Sequence, residues 1–464
     1  MERPNILFIM DDQHRFDFLG VAGADFVKTP NIDRLAARGM YFPNCTVNSP
    51  VCAPSRIALA TGLQAQRVAP RDNQSFLSHT QTTYYQRLRD HDYYVGCAGK
   101  LDLGKPDGYN GVNGDRPATY RWGFTHPIEI EGKMHAARLG SPRGPYGHYL
   151  QEQGLFEAFC KDYYDRFLNP ESRGVGRATS WVETGSHDSV LPTEAFSDTY
   201  IGRRAIQWLE EIPDDFPWHF FINFVGPHDP FDPPTEYADK YRNAEMPAAI
   251  DCAPDGKPAW IQAKYKERDP KNTAMVRRQY CAMIELIDDY IGYILDTLEK
   301  RGMMENTIIV FSSDHGEMLG DHGLYQKNLP YESALRVPLI IAGPGIQEGV
   351  VSDALVELID LNPTICELAG LPEQPYLDAK SLVPVLQGAS GFSHRDDTVS
   401  SLENMRLLRT RTHKYVNHIN DRNELYDLEN DPNETVNLID QEPELVEELK
   451  QRLNERMYEG KWLR

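Results

Sequence analysis

Short apolar runs that each stop at a polar or charged residue recur along this chain. Ile6-Leu7-Phe8-Ile9-Met10 stops at Asp11-Asp12-Gln13, and Tyr93-Tyr94-Val95-Gly96-Cys97-Ala98 stops at Gly99-Lys100. Phe220 to Val225 stops at Gly226-Pro227-His228, Thr307 to Phe311 stops at Ser312-Ser313-Asp314-His315, and Pro338 to Ala342 supplies a fifth run. Uninterrupted apolar runs of this length suit strands buried on both faces, which predicts a largely parallel sheet. Between them the spacing predicts helices over 31–38, 84–91, 199–211 and 275–301, the last carrying Met283, Ile284, Ile287, Ile291, Ile294, Leu295 and Leu298. Alternating strand and helix predicts a doubly wound α/β domain. Ligands of such sheets gather beyond the carboxyl ends of the strands. Asp12, Lys100, His228 and Asp314 fall at those ends, so four segments distant in sequence are predicted to meet at one site.

The stretch from about 107 to 197 has another texture, rich in Gly, Pro, Tyr, His and Arg, and reads as loops inserted over the active face. Its His126, His135, His148 and His187, with Arg138, Arg143, Arg173 and Arg177, are candidates to line a substrate cleft. A helix is expected over 354–369 and a linker at 370–375. Short strands over 405–410, 414–417 and 424–427, with a closing helix over 442–457, predict a small α+β subdomain. The expected division is a catalytic domain over 1–370 and a C-terminal subdomain over 371–464.

Charge narrows the possible partners. The 464 residues carry a formal net charge of −21, which argues against a protein that holds nucleic acid on a generally basic surface. No apolar run approaches the roughly 20 residues of a membrane-spanning helix, so no membrane partner is expected. Met1-Glu2-Arg3-Pro4 leads straight into a five-residue apolar run, unlike a secretory signal, so the chain is expected to be cytoplasmic or already processed. The seven cysteines are thinly spread without CxxC pairs and read as reduced thiols.

The most informative segment is Cys52-Ala53-Pro54-Ser55-Arg56-Ile57-Ala58-Leu59-Ala60-Thr61-Gly62. Pro54 suits the first turn of a helix, which places Cys52 at or just before a helix N-terminus, where free N–H groups favour an anion. Arg56, one turn on, adds a cation. Taken alone, this is as much a buried or metal-binding cysteine beside a structural arginine as a reactive one. Asp12-Gln13 and Asp314-His315 end two strands and offer two carboxylates, an amide oxygen and an imidazole. That set suits a hard divalent ion such as Ca²⁺ or Mg²⁺. Either pair alone also fits the ordinary role of strand-end aspartates as helix caps.

The cysteine segment resembles the signature of the sulfatase family, C-x-P-S-R-x-x-L-x-T-G, at every fixed position: Cys52, Pro54, Ser55, Arg56, Leu59, Thr61 and Gly62. The resemblance runs from Pro4-Asn5-Ile6 to Glu424-Leu425-Tyr426-Asp427-Leu428. It implies an alkaline-phosphatase-like fold and a Cys52 oxidised to Cα-formylglycine by a maturation enzyme, its hydrated aldehyde being the nucleophile. It further implies metal ligands at Asp12, Gln13, Cys52, Asp314 and His315, with Asp11 outside the set. His228 resembles the family's proton donor, Lys327 the lysine opposite, and Lys100 the first basic residue of G-K-W-H-L-G. The family's histidine in that motif is Asp102 here, open to three readings: a carboxylate base, an ion-pair partner of Lys100, or a mark of altered chemistry. Asn73 occupies a spot where related enzymes often place an asparagine near the scissile group. The expected activity is hydrolysis of a sulfate monoester, on a small sulfated saccharide. The alternatives are a phosphonate or phosphate ester hydrolase of the same fold and, in another class, a noncatalytic anion- or sugar-binding homologue.

Overall fold

The computed structural model describes residues 3–68, 72–104, 110–138, 140–167, 181–389 and 392–457. Its centre is an eight-stranded sheet in the order β8-β2-β7-β6-β1-β5-β3-β4. In chain order these are β1 (Asn5–Asp12), β2 (Gly39–Tyr41), β3 (Tyr94–Gly99), β4 (His126–Glu129), β5 (Trp218–Pro227), β6 (Thr307–Ser313), β7 (Leu339–Ala342) and β8 (Val350–Val351). Strand β1 is buried throughout and parallel to both neighbours, with Met10 level with Asn223 and Ser312. That register sets the carboxyl ends of the three central strands side by side. Alternate residues of β1 feed two cores, Ile6, Phe8 and Met10 on one face and Leu7 and Ile9 on the other. The second core is covered by α1 (Pro30–Ala37), α3 (Ser197–Glu211) and α4 (Pro270–Lys300), through residues such as Leu35, Leu209 and Ile291. The fold is thus a doubly wound α/β sheet, of the alkaline-phosphatase-like kind that the resemblance implies.

Three expectations change. The fifth run forms β7, but it runs antiparallel to β6. The chain leaving β6 stays beyond the carboxyl end of the sheet over 314–335 and re-enters from that side, whereas a parallel return needs a crossover to the other end. The stretch 107–197 is not mainly loop: it holds helices at Pro117–Trp122, Lys133–Arg138, Pro145–Glu152, Phe156–Phe167 and Trp181–Gly185, and the sheet strand β4. Two of these helices open on proline, so residues that read as loop punctuation are helix starts. Over 354–369, Val356–Glu357 pairs as a strand with Cys45–Thr46, and the helix begins only at Leu361, ending at Leu368.

Towards the C-terminus β9 (Thr398–Ser401), β10 (Met405–Arg409), β11 (His413–His418) and β12 (Glu424–Asp427) form an antiparallel meander. Helix α5 (Pro443–Met457) covers it, placing Leu449, Leu453 and Met457 on Val399, Leu408, Tyr415 and Leu425. Strand β9, half of whose residues are serine, carried no apolar run to betray it.

Candidate active site

Cys52 is the first residue of α2 (Cys52–Thr61), a helix with all ten residues buried. Val51 precedes it in extended geometry and has no side chain to cap the first turn. Asn73 does so instead, its Oδ1 accepting the Ala53 N–H at 3.1 Å. One turn along, Arg56 spends its guanidinium on four acceptors: Asp314 Oδ2 at 2.7 Å, Asp12 Oδ2 at 3.3 Å, Asn223 Oδ1 at 2.8 Å and the Lys100 carbonyl at 2.7 Å. The helix therefore carries both the cysteine and the clamp that ties β1 to β6.

Around Cys52 the sheet ends converge. The Sγ atom lies 3.1 Å from His315 Nε2 and 3.7 Å from both Asp12 Oδ1 and Lys100 Nζ. Lys100 leaves the end of β3 and places Nζ between Asp12 Oδ2, at 2.5 Å, and the Asp102 carboxylate, at 3.2 Å. From the far side Lys327 donates to Gln13 Oε1 and meets His228 Nε2. His228 is held at Nδ1 by the Asp229 carbonyl, 2.6 Å away. All eleven site residues expected from sequence are thus gathered at the carboxyl ends of the central strands. Asp11 points elsewhere, pairing with His14 at 2.7 Å.

Electrostatics follow from burying so many charges together. Burial opposes ionisation of Asp12, but Lys100, His228, Arg56 and His315 outweigh it and hold its pKa well below the usual carboxylate value. Asp314 is pushed up by burial, Arg56 opposing and Asp12 adding repulsion. Burial and Asp12 disfavour the Cys52 thiolate, yet Lys100, Lys327 and His315 overcome both and lower that thiol well below its ordinary range. Two carboxylates this close call for a cation. Asp12, Cys52, Asp314 and His315 place one ligand atom each within 4.8 Å of one another. His315 Nδ1 faces the Gly316 carbonyl at 2.9 Å, which leaves the lone pair of Nε2 for a metal. The donor set of Asp12, Cys52, Asp314 and His315 fits a divalent ion.

Asn223, Asp229 and Glu317 belong to this network and were not singled out in the sequence. Asn223 was detectable as the one polar side chain inside the apolar run Phe220 to Val225. Asp229 and Glu317 accept the Gln13 amide at 3.0 and 2.7 Å. Burial and the neighbouring Asp229 charge push Glu317 up to about 7, against the pull of Lys327. Of the cleft candidates, His135 lines a small cavity beside Asp102, whereas His126 begins β4 at the opposite end of the sheet and packs against Tyr94. Arg173 and Arg177 lie outside the described residues.

The architecture is alkaline-phosphatase-like, with the candidate donor set at the carboxyl ends of its central strands. A sulfatase family model matches residues 4–371, and a model of the N-sulphoglucosamine sulphohydrolase C-terminal region matches 320–461. The chain belongs to the sulfatase family and is a sulfuric ester hydrolase. It is 28% identical to an arylsulfatase of Clostridium perfringens over 95% of this chain and 91% of that protein, and 30% identical to a choline-sulfatase of Rhizobium meliloti over 94% and 83%. An N-acetylglucosamine-6-O-sulfatase of Bacteroides thetaiotaomicron is 27% identical over 94% and 83%. Among solved structures, a phosphonate monoester hydrolase of Agrobacterium radiobacter superposes with a TM-score of 0.80 at 23% identity, covering 98% of this chain and 95% of that one. A structure in complex with its substrate D-glucosamine-2-N,6-O-disulfate gives a TM-score of 0.75 at 22% identity, covering 98% and 97%. No helix among the described residues is long and apolar enough to cross a membrane.

Proposed function

We propose that the protein hydrolyses a sulfate monoester on a small saccharide, with a formylglycine derived from Cys52 as nucleophile and Ca²⁺ or Mg²⁺ held by Asp12, Gln13, Asp314 and His315. The observation that carries this reading is the place of Cys52, whose Sγ sits within 3.7 Å of His315, Asp12 and Lys100 at the start of a buried helix. Formylglycine supplies a hydroxyl of its hydrated aldehyde for attack on sulfur, and a divalent ion eases ionisation of that hydroxyl. Lys100 and Lys327 offset charge on the nonbridging oxygens of the ester. His228 Nε2, onto which the Lys327 ammonium points, relays from that ammonium the proton that the leaving alkoxide needs. Asp102 acts through Lys100, whose ammonium it holds at 3.2 Å. Arg56, with its donors committed to Asp12, Asp314, Asn223 and a carbonyl, is a positioning residue and not a contact of the substrate.

A saccharide is favoured by the match of 320–461 to the N-sulphoglucosamine sulphohydrolase C-terminal model and by the N-acetylglucosamine-6-O-sulfatase relative. The net charge of −21 disfavours large polyanions, which favours small sulfated sugars. Oxidation of Cys52 calls for a formylglycine-generating partner enzyme. The test compares turnover of sulfated glucosamines, aryl sulfate and aryl phosphonate esters by the wild type and Cys52→Ala. Sulfate esters should be preferred, and Cys52→Ala should lose about a thousandfold or more in kcat. A large preference for phosphonate, or unchanged turnover by Cys52→Ala, contradicts the reading.

A further inference from the structure

An amide differs from a carboxylate as a metal ligand, because only one of its two terminal atoms can coordinate. Gln13 therefore needs its side chain turned one way. Its backbone is already fixed: φ is 76°, in the left-handed region, the N–H donates to Asp314 Oδ1 at 3.1 Å, and the carbonyl accepts the Tyr280 hydroxyl at 2.6 Å. What remains is the direction of the amide. Nε2 donates to Asp229 Oδ1 at 3.0 Å and to Glu317 Oε2 at 2.7 Å, while Oε1 accepts the Lys327 ammonium. Gln13, Asp229 and Glu317 are all buried. Glu317 is itself anchored, its Oε1 accepting the backbone N–H groups of Leu319 at 3.3 Å and of Gln326.

We propose that Asp229 and Glu317 are positioning residues that hold the Gln13 amide with Oε1 toward the metal position, an inference that rests on the metal reading above. Turning the amide over would set Oε1 against two carboxylate oxygens and the NH₂ group against an ammonium, reversing three interactions at once. The ligand pair Asp12-Gln13 thus depends on two carboxylates supplied by distant segments, one following β5 and one following β6. Neither carboxylate is asked to touch the ion.

Titration of the chelator-stripped protein with Ca²⁺ and with Mg²⁺, followed by calorimetry, tests this without recourse to turnover. The double variant Asp229→Asn, Glu317→Gln offers Oε1 two new amide donors and lets the Gln13 side chain turn, so affinity should fall roughly 10–100-fold. Asp229→Asn alone, which leaves Glu317 as acceptor, should lose less. In a Gln13→Glu background both terminal atoms are oxygens and the same two substitutions remove like charge, so affinity should not fall. Unchanged affinity in the double variant, or an equal fall in both backgrounds, would overturn the inference while leaving the metal reading intact. Failure of the wild type to bind either ion would overturn both.

Discussion

Arg56 shows most clearly how a residue's role depends on partners that the chain order hides. Its position one turn after Cys52 marks it as a cation near an anion site, and the structure commits it to two carboxylates, an amide oxygen and a carbonyl instead. The residue types of Asp12, Gln13, Cys52, Asp314 and His315 were legible because each stands at a strand end or a motif position. Asn223, Asp229 and Glu317 were not, because nothing in a lone Asn, Asp or Glu says which side chain it will face after folding. The clamp can be tested by removal. Arg56→Met leaves Asp12 and Asp314 buried without their guanidinium and should destabilise the fold by roughly 3–5 kcal/mol in urea unfolding. Arg56→Lys should restore part of that stability but not turnover, since an ammonium cannot reproduce the planar fork. Equal stability of Arg56→Met and wild type would show that the clamp carries no load.

At the scale of elements, α2 is a buried helix whose N-terminus is finished by a residue from another segment. Val51 offers no capping side chain, so the Ala53 N–H relies on Asn73, a residue that the family resemblance sets near the scissile group. Asn73→Ala should therefore lower stability by about 1 kcal/mol, read as a shift in the unfolding midpoint. An unchanged midpoint would assign Asn73 to the substrate alone. Helix starts were harder to read than helix existence. The run 354–369 looked like one helix, yet Val356–Glu357 was captured by Cys45–Thr46, and Pro363, in the first turn of Leu361–Leu368, was the overlooked sign of a later start.

Across the whole molecule, the strand–helix alternation made the parallel centre legible, but not the antiparallel edge, which depends on where a long connection re-enters the sheet. The C-terminal meander is joined to the rest by buried charge. Arg409 and Lys414 reach Glu332 at 3.0 and 3.2 Å, and Glu332 directly precedes Ser333 and Ala334, whose carbonyls accept the N–H groups of Glu317 and Gly316. Asp360 is bound by Arg395 and lies 3.0 Å from His394. Burial alone would raise the Asp360 pKa, but Arg395 and His394 outweigh it and depress the value. A depressed carboxyl contributes stability that is present above its unfolded pKa, near 4, and is lost as pH falls through the folded value. The Asp360 contribution should hold from pH 7 to 5 and be lost below pH 4, so Arg395→Met should be less stable than wild type at pH 7, with the difference in melting temperature shrinking below pH 4. An equally steep acid dependence in Arg395→Met would remove this ion pair from the account.

The central claim, that Cys52 is the precursor of the nucleophile, meets its most direct test in the mass of the tryptic peptide spanning residues 39–56, taken from protein isolated from its own host. The account expects the aldehyde mass at Cys52 in the active protein. An active preparation whose Cys52 is entirely unmodified thiol would contradict it.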